Sequence, residues 1–158
     1  MGEVFHIDSL YARLGTYMDK KGLRSTGQRR TIAEAFFSGP RHITIEELLA
    51  RARERDPRIG YATVYRTLKL FTECGIAAER NFGDGPARYE LSDESNDHHH
   101  DHLICLECRR IIEFHDEKIE VLQEKIASRL GFRIESHKHE IYGICEDCQN
   151  ANKTKRRR

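Results

Sequence analysis

Residues 98–108 constrain the fold of this chain more than any other stretch. They supply four imidazoles, two carboxylates and two thiols within eleven positions. This density of ligand groups is typical of a metal site and not of a packed core. Cys105 and Cys108 form a CxxC pair, and Cys145 and Cys148 form a second one. Four thiolates that converge on one ion are typical of a closed, structural zinc site. Two disulfides, or four separate buried thiols, are the alternatives.

The histidines before the thiols are predicted to lie on a strand from about His100 to Cys105. Successive side chains of a strand point to opposite faces. His100 and His102 therefore share one face, and His99 and Asp101 share the other. The run can thus serve two different metal sites. A purification tag is disfavoured, because the run is internal and Asp101 interrupts it.

Length and composition limit the class of protein. A chain of 158 residues suits one ordinary domain or two small ones. It is 34% charged and has no apolar run near the ~20 residues that span a bilayer. Its first residues lack the basic and apolar regions of a signal peptide. We therefore expect a cytoplasmic protein with no membrane partner.

Charge is divided unevenly along the chain. Residues 1–91 carry 15 Lys and Arg against 12 Asp and Glu, whereas residues 92–152 carry 7 against 14, and residues 153–158 add five basic side chains. This division predicts one module for a polyanion and one for cations.

The first 91 residues are predicted to form a winged helix-turn-helix domain that binds DNA. Apolar residues recur at helical spacing up to Gly75, and Thr44 with Glu47 forms a capping box. Two short strands then flank a turn at residues 83–86. In such a domain the last helix enters the major groove. The predicted elements are a helix at 8–21, a second helix that is marked by Ile32 to Phe37 and ends near Gly39-Pro40, helices at 45–56 and 60–75, and strands at 76–82 and 87–91.

The polar run at residues 92–97 is the predicted hinge between domains. Residues 98–150 are expected to form a small α/β domain that binds metal and that a second subunit supports. Residues 151–158 form a basic tail, which we predict to be disordered. The fold class is therefore α+β. Beyond the first strand, the predicted elements of this domain are a strand at 110–115, a helix at 116–130 and a strand at 132–142. The apolar side of this helix, which is predicted to be buried, carries Ile119, Leu122, Ile126 and Leu130.

Candidate DNA contacts cluster at the start of the fourth helix. Tyr61, Thr63, Tyr65 and Arg66 can reach base edges or phosphates. Arg24, Arg29 and Arg30 can contact successive phosphates or enter a narrow minor groove. The alternative is that these residues belong to a protein-binding surface.

Further candidate ligands are scattered along the chain. They are Glu113, Glu120, His137 and His139 in the second domain, and His42 and Glu90 in the first. Taken singly, each has an ordinary alternative as a solvated surface or loop residue.

Several of these stretches together resemble the ferric uptake regulator family. The resemblance rests on Gly-Tyr-Ala-Thr-Val-Tyr-Arg at 60–66, the residues from Asn81-Phe82 to Tyr89-Glu90-Leu91, His-His-His-Asp-His-Leu-Ile-Cys-Leu-Glu-Cys at 98–108, Ile-Glu-Phe at 112–114 and Tyr142-Gly143. It covers about residues 8–148.

The resemblance implies three metal sites. The structural zinc would lie on the four cysteines already named. The remaining ligands would divide into a regulatory set, His42, Glu90, His100, His102 and Glu113, and an additional set, His99, Asp101, Glu120 and His137. The fifth cysteine, Cys74, matches no ligand position and is interpreted as a packing residue.

The resemblance also implies a function. Metal bound by both domains would close a homodimer, or a higher oligomer, onto an AT-rich palindromic operator and repress metal-uptake genes. Nitrogen and oxygen ligands without thiolate suit ferrous iron, although zinc or manganese can occupy such a site. A peroxide-, zinc- or manganese-sensing branch of the family is the alternative.

Functions of another class fit poorly. A zinc hydrolase or deaminase needs an open metal position and a positioned base, and neither the HExxH motif nor the deaminase signature is present in the sequence. A metal-storage protein would leave the fourth helix without a role. The sequence therefore predicts a regulator and not an enzyme.

Overall fold

The structure is a computed structural model that describes residues 7–83, 85–92 and 101–155. The chain divides into two compact units, Met1–Ser95 and Asn96–Arg158. The predicted α+β class is confirmed, since helices accompany one two-stranded and one three-stranded sheet. Among the described residues, no helix combines the length and the apolar character that crossing a bilayer requires.

The first unit has the helix and hairpin order of a winged helix. Ile32, Leu48 and Phe71 are fully buried where the second, third and fourth helices meet, and the ring of Phe36 stacks on Phe71 with 5.6 Å between centroids. Burial of each such side chain stabilises the fold by about 1.5–3 kcal/mol. The elements are α1 Ile7–Lys20, α2 Gly27–Phe37, α3 Ile45–Arg53, α4 Tyr61–Glu73, β1 Ala77–Arg80 and β2 Arg88–Leu91.

A short third strand segment extends the hairpin. The Ile43 N–H donates to the Tyr89 carbonyl at 3.0 Å, and the Tyr89 N–H donates to the Ile43 carbonyl at 2.8 Å. In an antiparallel pair the residues on either side of a facing pair also face each other. The bridge therefore brings His42 opposite Glu90.

The capping box at the start of α3 forms as predicted. Thr44 Oγ1 accepts the Glu47 N–H at 3.2 Å, and Glu47 Oε2 accepts the Thr44 N–H at 2.8 Å. Thr44→Ala is expected to lower the free energy of unfolding by about 1 kcal/mol, because an N-terminal N–H of the helix loses its partner. Urea denaturation measures the loss.

Serine is the matched control at this position. Thr44→Ser keeps the hydroxyl acceptor and removes one methyl group, so it is expected to retain most of the stability. If the serine and alanine variants unfold at the same urea concentration, the cap does not stabilise the domain.

In its described residues, 101–155, the second unit consists of a three-stranded sheet and two helices. Its strands lie in the order β4, β3, β5; β4 is antiparallel to β3, and β5 is parallel to β3. Asp116 caps the first helix, since its carboxylate accepts the Lys118 N–H at 2.8 Å. The elements are β3 Asp101–Cys105, β4 Ile111–Phe114, α5 Glu117–Arg129, β5 Glu140–Gly143 and α6 Glu146–Lys155.

The strand predicted at residues 132–142 is wrong for most of its length. β5 begins at Glu140 and pairs with β3 from the pair of His102 and Glu140 to the pair of Cys105 and Gly143. His137 and His139 therefore lie in the irregular segment before β5.

Two other predictions for the second unit are corrected. The tail predicted to be disordered from residue 151 is helical to Lys155, while residues 156–158 lie outside the described part. The apolar side of α5, predicted to be buried, is exposed: Leu122 has 57% and Leu130 65% of its surface accessible. A helix periodicity identifies an apolar face but not the molecule that covers it.

Candidate metal centres and nucleic-acid interface

The four CxxC cysteines of the second unit converge. Cys105 ends β3, Cys108 lies in the turn that follows, and Cys145 and Cys148 lie at the start of α6. The Sγ atoms of Cys105 and Cys148 are 3.9 Å apart, and those of Cys108 and Cys145 are 3.7 Å apart. All four Sγ atoms lie within 4.8 Å of one another.

This arrangement of sulfurs fits zinc. Four sulfurs at ~2.3 Å from one zinc ion form a tetrahedron with edges of about 3.8 Å. A disulfide would bring two sulfurs to about 2.05 Å, and all four cysteines are free thiols. The alternative of two disulfides is therefore not the arrangement in this structure.

Backbone hydrogen bonds favour the thiolate form of Cys105, which is the form that binds a metal. Hydrogen bonds from the Cys145 N–H and the Cys108 N–H lower the pKa of Cys105 to about 6. The neighbouring thiols, Cys145 first, raise the pKa of Cys148. Cys105 therefore ionises more readily than Cys148, and a bound cation would displace the remaining protons.

His102 and Glu113 lie side by side in the sheet of the second unit. The register of β3 and β4 pairs these two residues directly. His102 Nε2 is 4.0 Å from Glu113 Oε1, and both side chains are largely buried. An imidazole and a carboxylate at this separation can contribute two ligands to one ion.

His42 and Glu90 form a similar pair in the first unit. His42 Nδ1 is 3.2 Å from Glu90 Oε2, as the backbone bridge beside them requires. Glu90 Oε1 accepts a hydrogen bond from Arg80 Nε at 2.7 Å. The two oxygens of this carboxylate are therefore oriented, one toward Arg80 and one toward His42.

The opposite face of β3 carries a third cluster. Asp101, Glu120 and His137 each place a ligand atom within 4.8 Å of the others. His137 Nε2 lies 3.8 Å from Asp101 Oδ1 and 3.6 Å from Glu120 Oε1. Asp101 and His102 thus face different clusters, in keeping with the alternation of a strand. The predicted ligands His99 and His100 lie outside the described residues.

The start of α4 presents the predicted DNA-contacting side chains. Tyr61 and Tyr65 each have 48% of their surface exposed. Arg66 is also exposed, Thr63 is half-buried, and Val64 packs in the core. The helix therefore directs one face inward and offers aromatic, hydroxyl and guanidinium groups on the other.

Arg24 lies between α1 and α2 with an exposed side chain. Arg29 Nη1 donates to the Arg24 carbonyl at 2.6 Å, and Thr26 caps α2 by accepting the Arg29 N–H at 3.2 Å. Arg29 thereby fixes the backbone that carries Arg24. Sequence reasoning assigned Arg29 a contact with phosphate and missed this supporting role.

Comparison with known proteins decides the family. The sequence pattern of the ferric uptake regulator family matches residues 20–142. The chain belongs to the ferric uptake regulator family. The predicted family resemblance is therefore confirmed.

Named relatives and solved structures agree with this assignment. The ferric uptake regulation protein of Rhizobium leguminosarum bv. viciae is 46% identical over 125 residues, which cover 79% of this chain and 86% of that protein. The protein of the same name from Klebsiella pneumoniae is 41% identical over 140 residues, covering 87% and 88%.

Two solved structures are similar in fold. The Helicobacter pylori ferric uptake regulator, described as having three functional metal binding sites, matches with a TM-score of 0.83 and 28% identity, covering 94% of this chain and 97% of that one. A zinc-bound manganese uptake regulator matches with a TM-score of 0.70 and 44% identity, covering 84% and 98%.

Proposed function

We propose that this ferric uptake regulator family member is an iron-responsive repressor that binds operator DNA when its regulatory site holds ferrous iron. The proposal rests on one observation: the same chain has an exposed recognition face on α4 and clusters of imidazole and carboxylate side chains that can bind a metal. Metal binding and DNA binding are then linked through the conformation that both favour.

The three clusters are assigned different roles. The four cysteines hold a structural zinc, because a closed set of thiolates leaves no position for a regulatory ligand. The pairs His42 with Glu90 and His102 with Glu113, together with His100, form the regulatory site. Asp101, Glu120 and His137, together with His99, form the additional site.

The regulatory set would tie two units together. His42 and Glu90 belong to the winged helix, and the other three ligands belong to the second unit. An ion that binds all five would favour the arrangement in which they converge. Each described pair is already assembled within its own unit, so binding requires little rearrangement inside either unit.

The identity of the regulatory metal follows from its ligands and from the relatives. Imidazole and carboxylate without thiolate suit ferrous iron and manganese, and the two relatives quoted above are named for ferric uptake. Manganese is the second candidate, because a structural relative with 44% identity is a manganese uptake regulator. Operator titration with each ion, under anaerobic conditions for iron, separates the two.

A homodimer on a palindromic operator suits the exposed apolar surface of the second unit. Leu122, Ile126 and Leu130 of α5 are exposed, as is Ile141 of β5. A second copy that covers this surface would bury it and set the spacing of two α4 helices along AT-rich DNA. The free thiols suit the reducing cytoplasm, and the proposal includes no catalytic activity.

The DNA-binding role is tested at Arg66. Arg66→Ala is expected to weaken binding to an AT-rich palindromic duplex by about 5-fold to 150-fold, because one side-chain contact to a base contributes about 1–3 kcal/mol. Fluorescence anisotropy at saturating manganese measures the affinity. Repeating it at two salt concentrations distinguishes base from phosphate contact, since losing a phosphate contact lowers the salt slope by about one.

Arg129→Ala is the matched control. Arg129 is an exposed arginine in the last turn of α5, so its removal changes the net charge equally. It is expected to bind the duplex as the parent does. If the two variants bind DNA equally, α4 is not the recognition helix.

A further inference from the structure

His139 contacts the third cluster without belonging to the ligand set. Its Nδ1 lies 3.2 Å from Asp101 Oδ2. Its carbonyl accepts the His102 N–H at 3.1 Å, and its ring packs edge-on against Phe114 with 5.8 Å between centroids. Both the backbone and the ring of His139 are therefore held in place beside Asp101.

The two oxygens of Asp101 have different surroundings. Oδ2 faces His139, whereas Oδ1 lies 3.8 Å from His137 Nε2 and makes no hydrogen bond with the described residues. The side chain is 1% exposed, so bulk solvent does not reach it. Glu120 Oε1 is likewise buried without a hydrogen bond among these residues. Buried carboxylate oxygens in this state are costly unless a cation binds them.

We propose that His139 is a positioning residue of the additional metal site. Its Nδ1–H donates to Asp101 Oδ2 and holds Oδ1 toward His137 Nε2 and Glu120 Oε1, so that Asp101 offers a single oxygen to the ion. The inference rests on the proposed function, which makes this cluster a metal site. Hydrogen bonds to ligating carboxylates fix their orientation, and their loss typically lowers metal affinity about 10-fold to 100-fold.

The same contact argues against His139 as a direct ligand. Nδ1, which donates its proton to Asp101, has no lone pair for a metal, and neither ring nitrogen of His139 belongs to the group of ligand atoms that lie within 4.8 Å of one another. The ligand atoms of Asp101, Glu120 and His137 converge with one another, and Nδ1 of His139 faces the other oxygen of Asp101. His139 therefore acts on the ion through Asp101.

Cobalt binding to the full chain tests the proposal. Every protein tested contains the structural zinc and the background substitution His102→Ala, which disables the proposed regulatory site. Added Co²⁺ therefore reports on the additional site. The variants compared are His139→Leu, which removes the donor, His139→Asn, whose amide N–H can replace Nδ1–H, and Asp101→Asn, which removes the ligand oxygen. Affinity and the visible d–d spectrum at saturation are measured.

His139→Leu is expected to bind Co²⁺ about 10-fold to 100-fold more weakly. Its d–d absorption should also weaken, because Asp101 is then free to bind through both oxygens and raise the coordination number. His139→Asn should restore most of the affinity and the parental spectrum. Circular dichroism of the metal-free variants checks that the fold is kept.

Each other outcome overturns the inference in a distinguishable way. Parental affinity, or a parental spectrum, in His139→Leu would show that His139 does not orient Asp101. An altered spectrum in both His139 variants would make His139 a direct ligand. If the His102→Ala protein binds no Co²⁺ beyond what Asp101→Asn binds, the additional site itself is wrong, and the proposal fails with it.

Discussion

Cys105→Ser is expected to remove the structural zinc and to unfold the second unit. Binding of structural zinc contributes about 10–16 kcal/mol in zinc-finger peptides, which is as large as the whole free energy of unfolding of a typical domain. Backbone hydrogen bonds lower the pKa of the Cys105 thiol to about 6. The substitution therefore removes a ligand that ionises readily. Metal analysis should give less than one zinc per chain, and thermal melting should lose the transition of the second unit.

Cys74→Ser is the matched control for that experiment. Cys74 follows α4 in the first unit, where it is half-buried and its Sγ lies 3.5 Å from the Phe71 carbonyl. Burial raises the pKa of this thiol, which suits a packing residue and not a ligand. The control should keep its zinc. If Cys105→Ser keeps one zinc per chain and melts as Cys74→Ser does, the four-cysteine site is refuted.

The parts of the fold that local patterns specify were predicted well. The capping box of Thr44 and Glu47, the helix from Asp116 and the hairpin after Gly75 depend on residues close in the sequence. The alternation of β3 is equally local, and it places Asp101 and His102 toward different clusters. These features required no knowledge of what packs against them.

The parts that failed depend on partners distant in the sequence. The strand predicted at 132–142 is observed over Glu140–Gly143, where it pairs with residues 102–105 of β3, and its own residues do not reveal this partner. α6 was missed because its residues are almost entirely polar. Its first turn nevertheless carries Cys148, which the cysteine cluster holds close to Cys105. Tertiary contact here overrides a weak local signal.

Two supporting residues of the candidate sites were also missed, for a related reason. Arg80 donates to Glu90, and His139 contacts Asp101. The period of the hairpin places Arg80 and Glu90 on the same face, so this pair was accessible to sequence reasoning. The contact of His139 depends on an irregular segment returning to β3, and no periodicity predicts it.

His102→Ala is expected to abolish the effect of metal on DNA binding. Coupling between an effector and a second ligand is typically about 1–3 kcal/mol, which is about 5-fold to 150-fold in affinity. At saturating manganese, the variant should therefore bind the operator as the metal-free parent does. His115→Ala is the control, since His115 is an exposed histidine at the end of β4 and belongs to no proposed ligand set.

The proposal that one ion joins both units makes a stronger prediction for a double-mutant cycle. His42→Ala removes a ligand of the winged helix, and His102→Ala removes a ligand of the second unit. If both bind one ion, either substitution alone eliminates the metal response, and the double variant loses no more. Metal-free operator affinity should stay the same in all three variants, because neither histidine is on α4.

Independent sites would give a different result. If His42 and His102 served separate ions, each single variant would retain part of the metal response, and the two losses would add in the double variant. An additive cycle would therefore leave the family assignment intact and refute the shared regulatory ion. The cycle thus tests the physical link between the metal clusters and α4, because an ion held by both units would couple the second unit to the helix that contacts DNA.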